Sequence, residues 1–449
     1  MREKINRLGR FAGLDAQVLP TLLLRGWQII AGGVMVLLIP LWLGKVEQGY
    51  YYTFSSLLAL QIFFELGMNQ VILQLVSHDF AHIRISNADA LEGDAIRIDR
   101  LAALVGLLRR WYGIAASLFF VIVSASGAWF FSTKGGLPIS SWGGAWLMLT
   151  MVSAANLYLS ASLTVLEACG QVAGVARMRL VQSMCGNGLM WLALALGASL
   201  WAMPLVPLTA AVYTGYWLRV NGRTIHHLRQ YSVVNKSIST INWRSEIFPF
   251  QWRIAVSWIS GYFIFQIFPP LVFARLGSVE AGRLGISMAI FGSVLTVGMS
   301  WVNAKLPVFA AHVSRNERAS LNALFNSVVK RSMAFTLIAT LMIIIAVMVL
   351  NSLKITGIER FASLSVVICL AMVTLGNCFI SAAAAYMRAH KEEPMMLVSV
   401  VVGLATLASA VIGSMYSVFA MMAWYACINW LVALPWTFML FIRYYRKKV

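Results

Sequence analysis

Four charged side chains fall inside long apolar stretches of the sequence: Arg25, Glu65, Arg253 and Lys305. A charge in hydrocarbon is expensive, so such residues usually face a bundle interior or a water-filled cavity. Arg and Lys bind anions through charge-assisted hydrogen bonds, which predicts an anion site at the three cations. The lone carboxylate suits binding and release of a proton or Na⁺. Two alternatives remain open: the arginines snorkel to the interface, and Glu65 is a static ion-pair partner of Arg25 or Arg253.

Composition shows what must position these charges, because 60% of the 449 residues are hydrophobic and only 11% are charged. A soluble protein cannot bury so much apolar surface, so the chain is predicted to be a polytopic membrane protein. A span needs about twenty apolar residues. Twelve windows qualify, numbered here as spans 1–12: 18–43, 50–77, 108–132, 142–167, 178–200, 204–220, 247–274, 284–312, 331–353, 361–387, 394–417 and 419–442.

Basic residues give the orientation. Of 35 Lys and Arg, 26 lie at the termini or in connectors after even-numbered spans, six lie on the opposite face and three lie within spans. The excess on one face predicts that both termini are cytoplasmic. It also accounts for most of the +19 net charge, so no nucleic-acid partner is required. The connector at 78–107 is interpreted either as an interfacial amphipathic helix or as a solvated linker with a helical end.

An internal repeat divides the chain. Span 1 ends in LGKVEQG at 43–49 and span 7 ends in LGSVEAG at 276–282. The repeat predicts an N-terminal six-helix lobe at 1–220, a basic linker at 221–246 and a C-terminal six-helix lobe at 247–449. Such lobes are parallel, and the substrate cavity of transporters built this way lies between them. Further pairs fall at corresponding places: Arg25 and Arg253, Pro40 and Pro269, Asn69 and Asn303, His78 and His312, Asn156 and Asn377.

The stretch LGKVEQGYYYTFSSLLALQIFFELGMNQVILQLVSHD, which follows an Arg-bearing first span, resembles the Wzx-type polysaccharide flippases of the multidrug/oligosaccharidyl-lipid/polysaccharide (MOP) exporter superfamily. The similar features are a Leu-Gly turn, a Gly-Tyr start to span 2 and an acidic-Leu-Gly sequence. The resemblance implies an all-α, MATE-like fold with two six-helix bundles around a central cavity. It further implies a bacterial inner-membrane carrier that moves undecaprenyl-pyrophosphate-linked oligosaccharide, such as an O-antigen unit, to the periplasmic leaflet by alternating access. Polysaccharide polymerase and chain-length proteins are the partners that such a carrier would meet.

Two other functions remain as alternatives. A MATE-like multidrug/ion antiporter would share the fold, but it favours cationic substrates and a more acidic cavity. A membrane-embedded polysaccharide polymerase or ligase would need a large periplasmic loop with catalytic Arg or His, whereas the predicted periplasmic connectors are short and lack histidine. An ATP-driven pump is excluded by the lack of a phosphate-binding GxxxxGK[ST] loop. The energy is therefore expected from an H⁺, Na⁺ or substrate gradient.

The remaining candidate site residues flank the charges. Gln61, Glu65 and Asn69 follow at intervals of four, which predicts one cavity-facing stripe on span 2. Glu167 and Arg388 end spans 4 and 10 at matching positions and are interpreted as a cytoplasmic gate. No cofactor or metal site is expected, because the five cysteines lie in or beside apolar runs without ligand spacing. Cavity-lining roles are also predicted for Trp27, Gln28, Asn156, Trp258, Trp301 and Asn303.

Overall fold

The computed structural model describes residues 18–80, 83–85, 91–234, 242–353, 357–390 and 394–446, and these are almost entirely helical. The helices of the first half are α1 Val18–Trp42, α2 Lys45–Leu58, α3 Ile62–Glu65, α4 Met68–Phe80, α5 Ala95–Lys134, α6 Ile139–Ala168, α7 Val172–Ala195, α8 Leu205–Asn221 and α9 Arg223–Val234.

The second half continues in the same way, and short 3₁₀ or π turns join several of its helices. Its helices are α10 Phe248–Phe265, α11 Phe268–Leu276, α12 Ser278–Gly298, α13 Ser300–Asn303, α14 Leu306–Ser314, α15 Arg318–Ser352, α16 Leu364–Arg388, α17 Met396–Gly413, α18 Val418–Ile428 and α19 Leu434–Arg446.

Each of the twelve predicted spans coincides with helix in the described chain. Ten are long and apolar enough to cross a membrane when two bent helix pairs are each counted as one span. The other two are α7, with 24 residues, and α8, with 17 residues. The protein is therefore an all-α, multi-pass membrane protein, as the composition predicted.

Three spans are broken rather than continuous. Span 2 bends by 46° between α3 and α4, and span 7 bends by 42° between α10 and α11. In span 7 the break precedes Pro269 and Pro270, which cannot donate backbone hydrogen bonds to the preceding turn. Span 8 is interrupted at Met299 and again at Ala304 and Lys305, just before Pro307. The sequence windows predicted the extent of these spans.

In its described residues the connector after span 2 does not form a separate interfacial helix. Ile83–Ile85 (β1) pairs antiparallel with Leu91–Gly93 (β2), and helix resumes at Ala95. From there α5 runs for 40 residues, about 60 Å at 1.5 Å per residue. That length exceeds the hydrocarbon core, so part of α5 extends beyond the membrane. The linker with a helical end was the better interpretation.

The described chain forms two compact units. Unit 1 has its core around Phe131, Trp142 and Trp146, and unit 2 has its core around Phe325 and Tyr386. Residues 32–59, from the first predicted lobe, belong to unit 2 because α2 packs along α12. The lobe boundaries stay a prediction. Unit 1 holds the described residues within Met1–Ala31, Leu60–Ser132 and Leu137–Ala255, and unit 2 those within Gly32–Ala59, Thr133–Gly136 and Val256–Val449.

Candidate functional site

The break in span 2 places a carboxyl group inside unit 1. Leu66 and Gly67 both take left-handed backbone conformations, with φ of 51° and 67°, so α3 ends at Glu65. Gly67 also needs its small size, because a Cβ there would lie 2.4 Å from Cγ2 of Ile254. The Glu-Leu-Gly sequence thus terminates the helix, and Glu65 is left only 8% exposed.

Polar groups from three helices surround this carboxyl. Asn69, in the first turn of α4, hydrogen-bonds Glu65 through its backbone and its side chain. Its Oδ1 accepts from the Tyr112 hydroxyl at 2.8 Å and from Thr164 Oγ1 at 2.9 Å. Since Oδ1 is engaged by two hydroxyls, the amide NH₂ is the group left for Glu65. We call Glu65, Asn69, Tyr112 and Thr164 the Glu65 site.

The Glu65 site has the chemistry of a small-cation site. Its carboxylate oxygens are ligands that hard cations prefer, and the carboxylate can also take a proton. The Asn69 amide oxygen is already engaged by the two hydroxyl donors. Within the described chain no basic residue forms an ion pair with Glu65, so this structure lacks the pairing with Arg25 or Arg253 that the sequence left open. The sequence stripe included Glu65 and Asn69 but missed Tyr112 and Thr164, because neither spacing nor charge marks them.

Arg25 and Gln28 lie away from the apolar exposed side of α1. Leu23, Ile30 and Leu37 form an exposed apolar stripe along this helix. At 100° per residue, Arg25 is displaced from that stripe by about 140° and Gln28 by about 160°. Both are nevertheless exposed. Leu22, which is also exposed and apolar, lies between that stripe and Arg25, about 60° from Arg25. The cavity-lining roles of Arg25 and Gln28 stay predictions.

Arg253 of α10 is exposed, and its guanidinium carbon lies 5.6 Å from the centre of the Trp252 ring. Stacking against an aromatic face leaves the in-plane N–H donors available to another group. No Asp or Glu among the described residues forms an ion pair with Arg25 or Arg253. Two arginines of unit 1 are thus exposed cations with unused hydrogen-bonding capacity.

Lys305 belongs to unit 2 and lies between α13 and α14, where Pro307 follows in the first turn of α14. Its side chain is exposed, and it too forms no ion pair with an acidic residue in the described ranges. Pro307 accompanies this interruption of the helix. The convergence of Lys305 with Arg25 and Arg253 stays a prediction.

The other predicted cavity residues occupy varied environments. Trp27 packs 5.9 Å from Trp191, and its buried Nε1 has no hydrogen-bond partner among the described residues. Asn156 donates to the Val152 and Pro207 carbonyl oxygens at 2.9 and 2.7 Å, so it joins α6 to α8. Trp258 is exposed. Three others are partly buried: Gln61, Trp301 and Asn303.

The predicted gate residues have other neighbours in this structure. Glu167 pairs with Arg179 of α7, with 3.0 Å between Oε1 and Nη1. Arg388 is the last residue of α16, and it is not without a partner. An ion pair between Glu167 and Arg388 therefore remains a prediction for another conformation.

The two repeated turn motifs meet inside unit 2. A Cβ added to Gly49 would lie 1.9 Å from the Ser278 carbonyl oxygen, and one added to Gly282 would lie 2.9 Å from the Gly49 nitrogen. These glycines end the motifs LGKVEQG and LGSVEAG, so the repeated Gly is explained by the close crossing of α2 and α12. Gln48 Nε2 donates to the Gly282 carbonyl oxygen at 2.9 Å across this crossing.

A short segment before span 10 closes over the crossing. Gln48 also donates to the Arg360 carbonyl oxygen at 3.1 Å, and Arg360 Nη1 donates to the Leu43 carbonyl oxygen at 2.7 Å. Lys45 pairs with Glu359, and its hydrogen bond and charge hold the pKa of the Glu359 carboxyl below its ordinary value. These contacts tie the segment before α16 to the start of α2 in unit 2.

Comparison with known proteins places the fold. No known family matches the sequence, and no curated protein matches it. An inward-facing multidrug-resistance MATE family transporter of the MOP superfamily superposes with a TM-score of 0.58 at 13% identity, over 92% of this chain and 99% of the other. An outward-facing one gives 0.56 at 12% identity, over 97% of each chain.

A third structure, of a MATE protein in a bent conformation, gives a TM-score of 0.54 at 14% identity, with 96% of each chain covered. At these identities the likeness establishes the architecture. The chain has the fold of MATE transporters, and the twelve-helix layout with two bundles that the sequence predicted fits that fold.

Proposed function

We propose that this protein is a flippase that moves polyprenyl-pyrophosphate-linked oligosaccharide from the cytoplasmic to the periplasmic leaflet by alternating access. The observation that carries the proposal is the exposure of Arg25 and Arg253 without acidic partners in the described chain. Exposed guanidinium groups without acidic partners among the described residues are suited to a doubly charged pyrophosphate, which they can bind by bidentate hydrogen bonds. Lys305 would supply a third cation.

The Glu65 site would couple this movement to an ion gradient. Binding of H⁺ or Na⁺ neutralises a buried carboxylate, and the helix break beside it gives span 2 a place to bend. The fold supports the class of motion, since both inward-facing and outward-facing MATE structures share it.

The MATE-like multidrug/ion antiporter remains the second candidate, and the Glu65 site favours it equally. A buried carboxyl with amide and hydroxyl neighbours would serve either carrier. What separates the two is the sign of the exposed charges. A cavity for cationic drugs would be expected to present carboxylates where this chain presents Arg25 and Arg253.

The test is complementation of a strain that lacks the gene, with surface polysaccharide quantified by immunoblot. We expect Arg25→Ala and Arg253→Ala each to reduce export by about tenfold, since a hydrogen bond to a charged group contributes about 1.5–3 kcal/mol. The double variant should abolish export. Arg219→Ala, at an exposed arginine that ends α8, is the matched control and should export normally.

Membrane levels of every variant are measured by blotting, so that loss of export is not loss of protein. Export that survives the double substitution would contradict the pyrophosphate role. If the arginine variants lose polysaccharide export and also lose efflux of a cationic dye such as ethidium, the antiporter is favoured instead.

A further inference from the structure

Unit 2 contains a cavity that includes none of the cations proposed to bind the pyrophosphate. It has a volume of about 590 Å³ and lies at the predicted periplasmic ends of α12, α15, α16 and α18. Its polar and aromatic lining includes Glu280, Arg283, Glu359, Phe361, Tyr416 and Phe419. A volume of this size is in the range of ligand sites, roughly 300–1,000 Å³. We call it the unit 2 bowl.

Hydrogen bonds fix the polar side chains of the bowl but use only part of their hydrogen-bonding capacity. Arg283 Nε donates to the Glu359 carbonyl oxygen at 2.7 Å, and Nη1 donates to Glu280 Oε1 at 2.5 Å. A guanidinium has five N–H donors, so these bonds leave several available. Glu280 likewise keeps its second carboxylate oxygen. The bowl therefore presents fixed donors and fixed acceptors side by side.

The backbone under these groups is also fixed. The Ser287 hydroxyl donates to the Arg283 carbonyl oxygen at 2.9 Å and accepts from the Ala362 N–H at 3.0 Å. This pair ties the wall formed by α12 to the wall before α16. Preorganised polar groups lose little entropy when they bind a ligand.

Aromatic rings flank the polar groups. Tyr416 is 72% exposed and Phe419 is 49% exposed, and both line the bowl. Aromatic residues at a membrane interface often form a belt facing headgroups. Here, however, the rings line the same bowl as the Glu280–Arg283 pair. A flat apolar face beside fixed donors and acceptors matches a sugar ring, whose faces carry C–H bonds and whose rim carries hydroxyls.

We infer that the unit 2 bowl is a glycan-binding subsite that receives the sugar part of the substrate on the periplasmic side. This inference rests on the proposed function, because it assumes that the cargo carries an oligosaccharide. The cations Arg25 and Arg253 would bind the pyrophosphate, and the bowl would bind only sugar.

The experiment uses the full-length protein in lipid nanodiscs and saturation-transfer difference NMR. The probe is the oligosaccharide pool that mild acid releases from the polyprenyl-linked glycans of the source cells, so it carries no lipid and no pyrophosphate. We expect saturable transfer to sugar-ring protons in the wild type. Tyr416→Ala should weaken binding about tenfold, as expected for loss of an aromatic stacking platform, and Glu280→Gln should weaken it less.

Trp129→Ala is the matched control, because Trp129 is 68% exposed near the predicted periplasmic end of span 3 but does not line the bowl. It should bind the glycan as the wild type does. Absence of saturable transfer to the wild type would overturn the inference. Equal binding by Tyr416→Ala and the wild type would overturn it as well. Thermal unfolding of each variant shows whether it is folded, and Phe419→Ala replaces Tyr416→Ala if that variant is not.

The two proposals can fail separately. If the released glycan binds but the Arg25 and Arg253 variants export normally, the bowl stands and the pyrophosphate role falls. If those variants lose export and the released glycan does not bind, the flippase function stands and the bowl is not its subsite.

Discussion

Spans 2 and 8 occupy equivalent places in the internal repeat, and both are broken, but the two breaks carry opposite charges. Asn69 and Asn303 mark the equivalence, at an offset of 234 positions. At the same offset the buried acid Glu65 corresponds to Met299, and the exposed cation Lys305 corresponds to Val71, which is buried. The first half therefore has a carboxyl where the second half has a thioether. The second half has an ammonium group where the first half has the aliphatic side chain of Val71.

The two breaks also differ in how they are made. Span 2 breaks at two left-handed residues, and hydroxyl groups of neighbouring helices close around the gap. Span 8 breaks ahead of a proline, and residues 304–308 are all exposed. A closed polar pocket suits a small cation, whereas an open site suits a large anion. Each of the two predicted halves thus has a mid-span break, and the chemistry beside the break differs between them.

The strongest challenge to this comparison is Glu65→Gln, which keeps the size of the side chain and removes its charge. If Glu65 couples transport to an ion gradient, export should fall by about 100-fold, the upper part of the range of about 5–150-fold that corresponds to coupling free energies of about 1–3 kcal/mol. The measurement is gradient-driven flipping in proteoliposomes. Glu65→Asp is the control and should retain part of the activity. Full activity of Glu65→Gln would show that the buried acid is only structural.

Gly67→Ala tests whether the left-handed break is what forms the Glu65 site. Alanine at φ of 67° is strained, and its Cβ would approach Ile254 Cγ2 to 2.4 Å. We expect a loss of about 2 kcal/mol in stability, read as a lowered unfolding temperature in detergent. Gly261→Ala is the control, because a Cβ there has open space. Pro307→Ala, at the exposed break of span 8, should also change little. Equal effects at the two breaks would contradict the difference described above.

Lys305→Gln tests the open break. Loss of one charge-assisted hydrogen bond to the anion should lower export by about tenfold, while the unfolding temperature stays that of the wild type because the side chain is exposed. Lys305→Arg keeps the charge and should export at least partly. A Lys305→Gln variant with normal export would remove Lys305 from the substrate site and leave the two arginines to bind the pyrophosphate.

The sequence predicted the spans and the charges more fully than it predicted the contacts. Apolar windows located all twelve spans because hydrocarbon allows little but helix. Glu65 stood out because an acidic residue inside an apolar span is rare and costly. Tyr112 and Thr164 did not, since hydroxyl groups are common in spans and their role depends on which helices become neighbours. Non-local packing carries no periodic signal along the chain.

The repeat shows the same limit. Its glycines were visible in the sequence, but their reason, the close crossing of α2 and α12, required coordinates. The partner of Glu167 was likewise missed, because Arg179 lies in the same half of the chain, whereas the repeat directed attention to Arg388. Pairings between equivalent positions are easy to propose from symmetry, and local pairings such as Glu167 with Arg179 compete with them.

Tyr112→Phe gives the smallest expected effect and the finest test of the closed site. Removal of the hydroxyl leaves Asn69 Oδ1 with one donor, Thr164, and interhelical hydrogen bonds in membranes contribute about 0.6 kcal/mol on average. The unfolding temperature should therefore fall only slightly, and Tyr216→Phe, at an exposed tyrosine of unit 1, should leave it unchanged. The informative readout is the ion concentration that gives half-maximal flipping. If Asn69 is oriented toward Glu65 by its two hydroxyl donors, loosening one of them should change that concentration. A stability loss as large as that of Gly67→Ala, with unchanged ion dependence, would instead make Tyr112 a packing residue, and the cation site would reduce to Glu65 and Asn69.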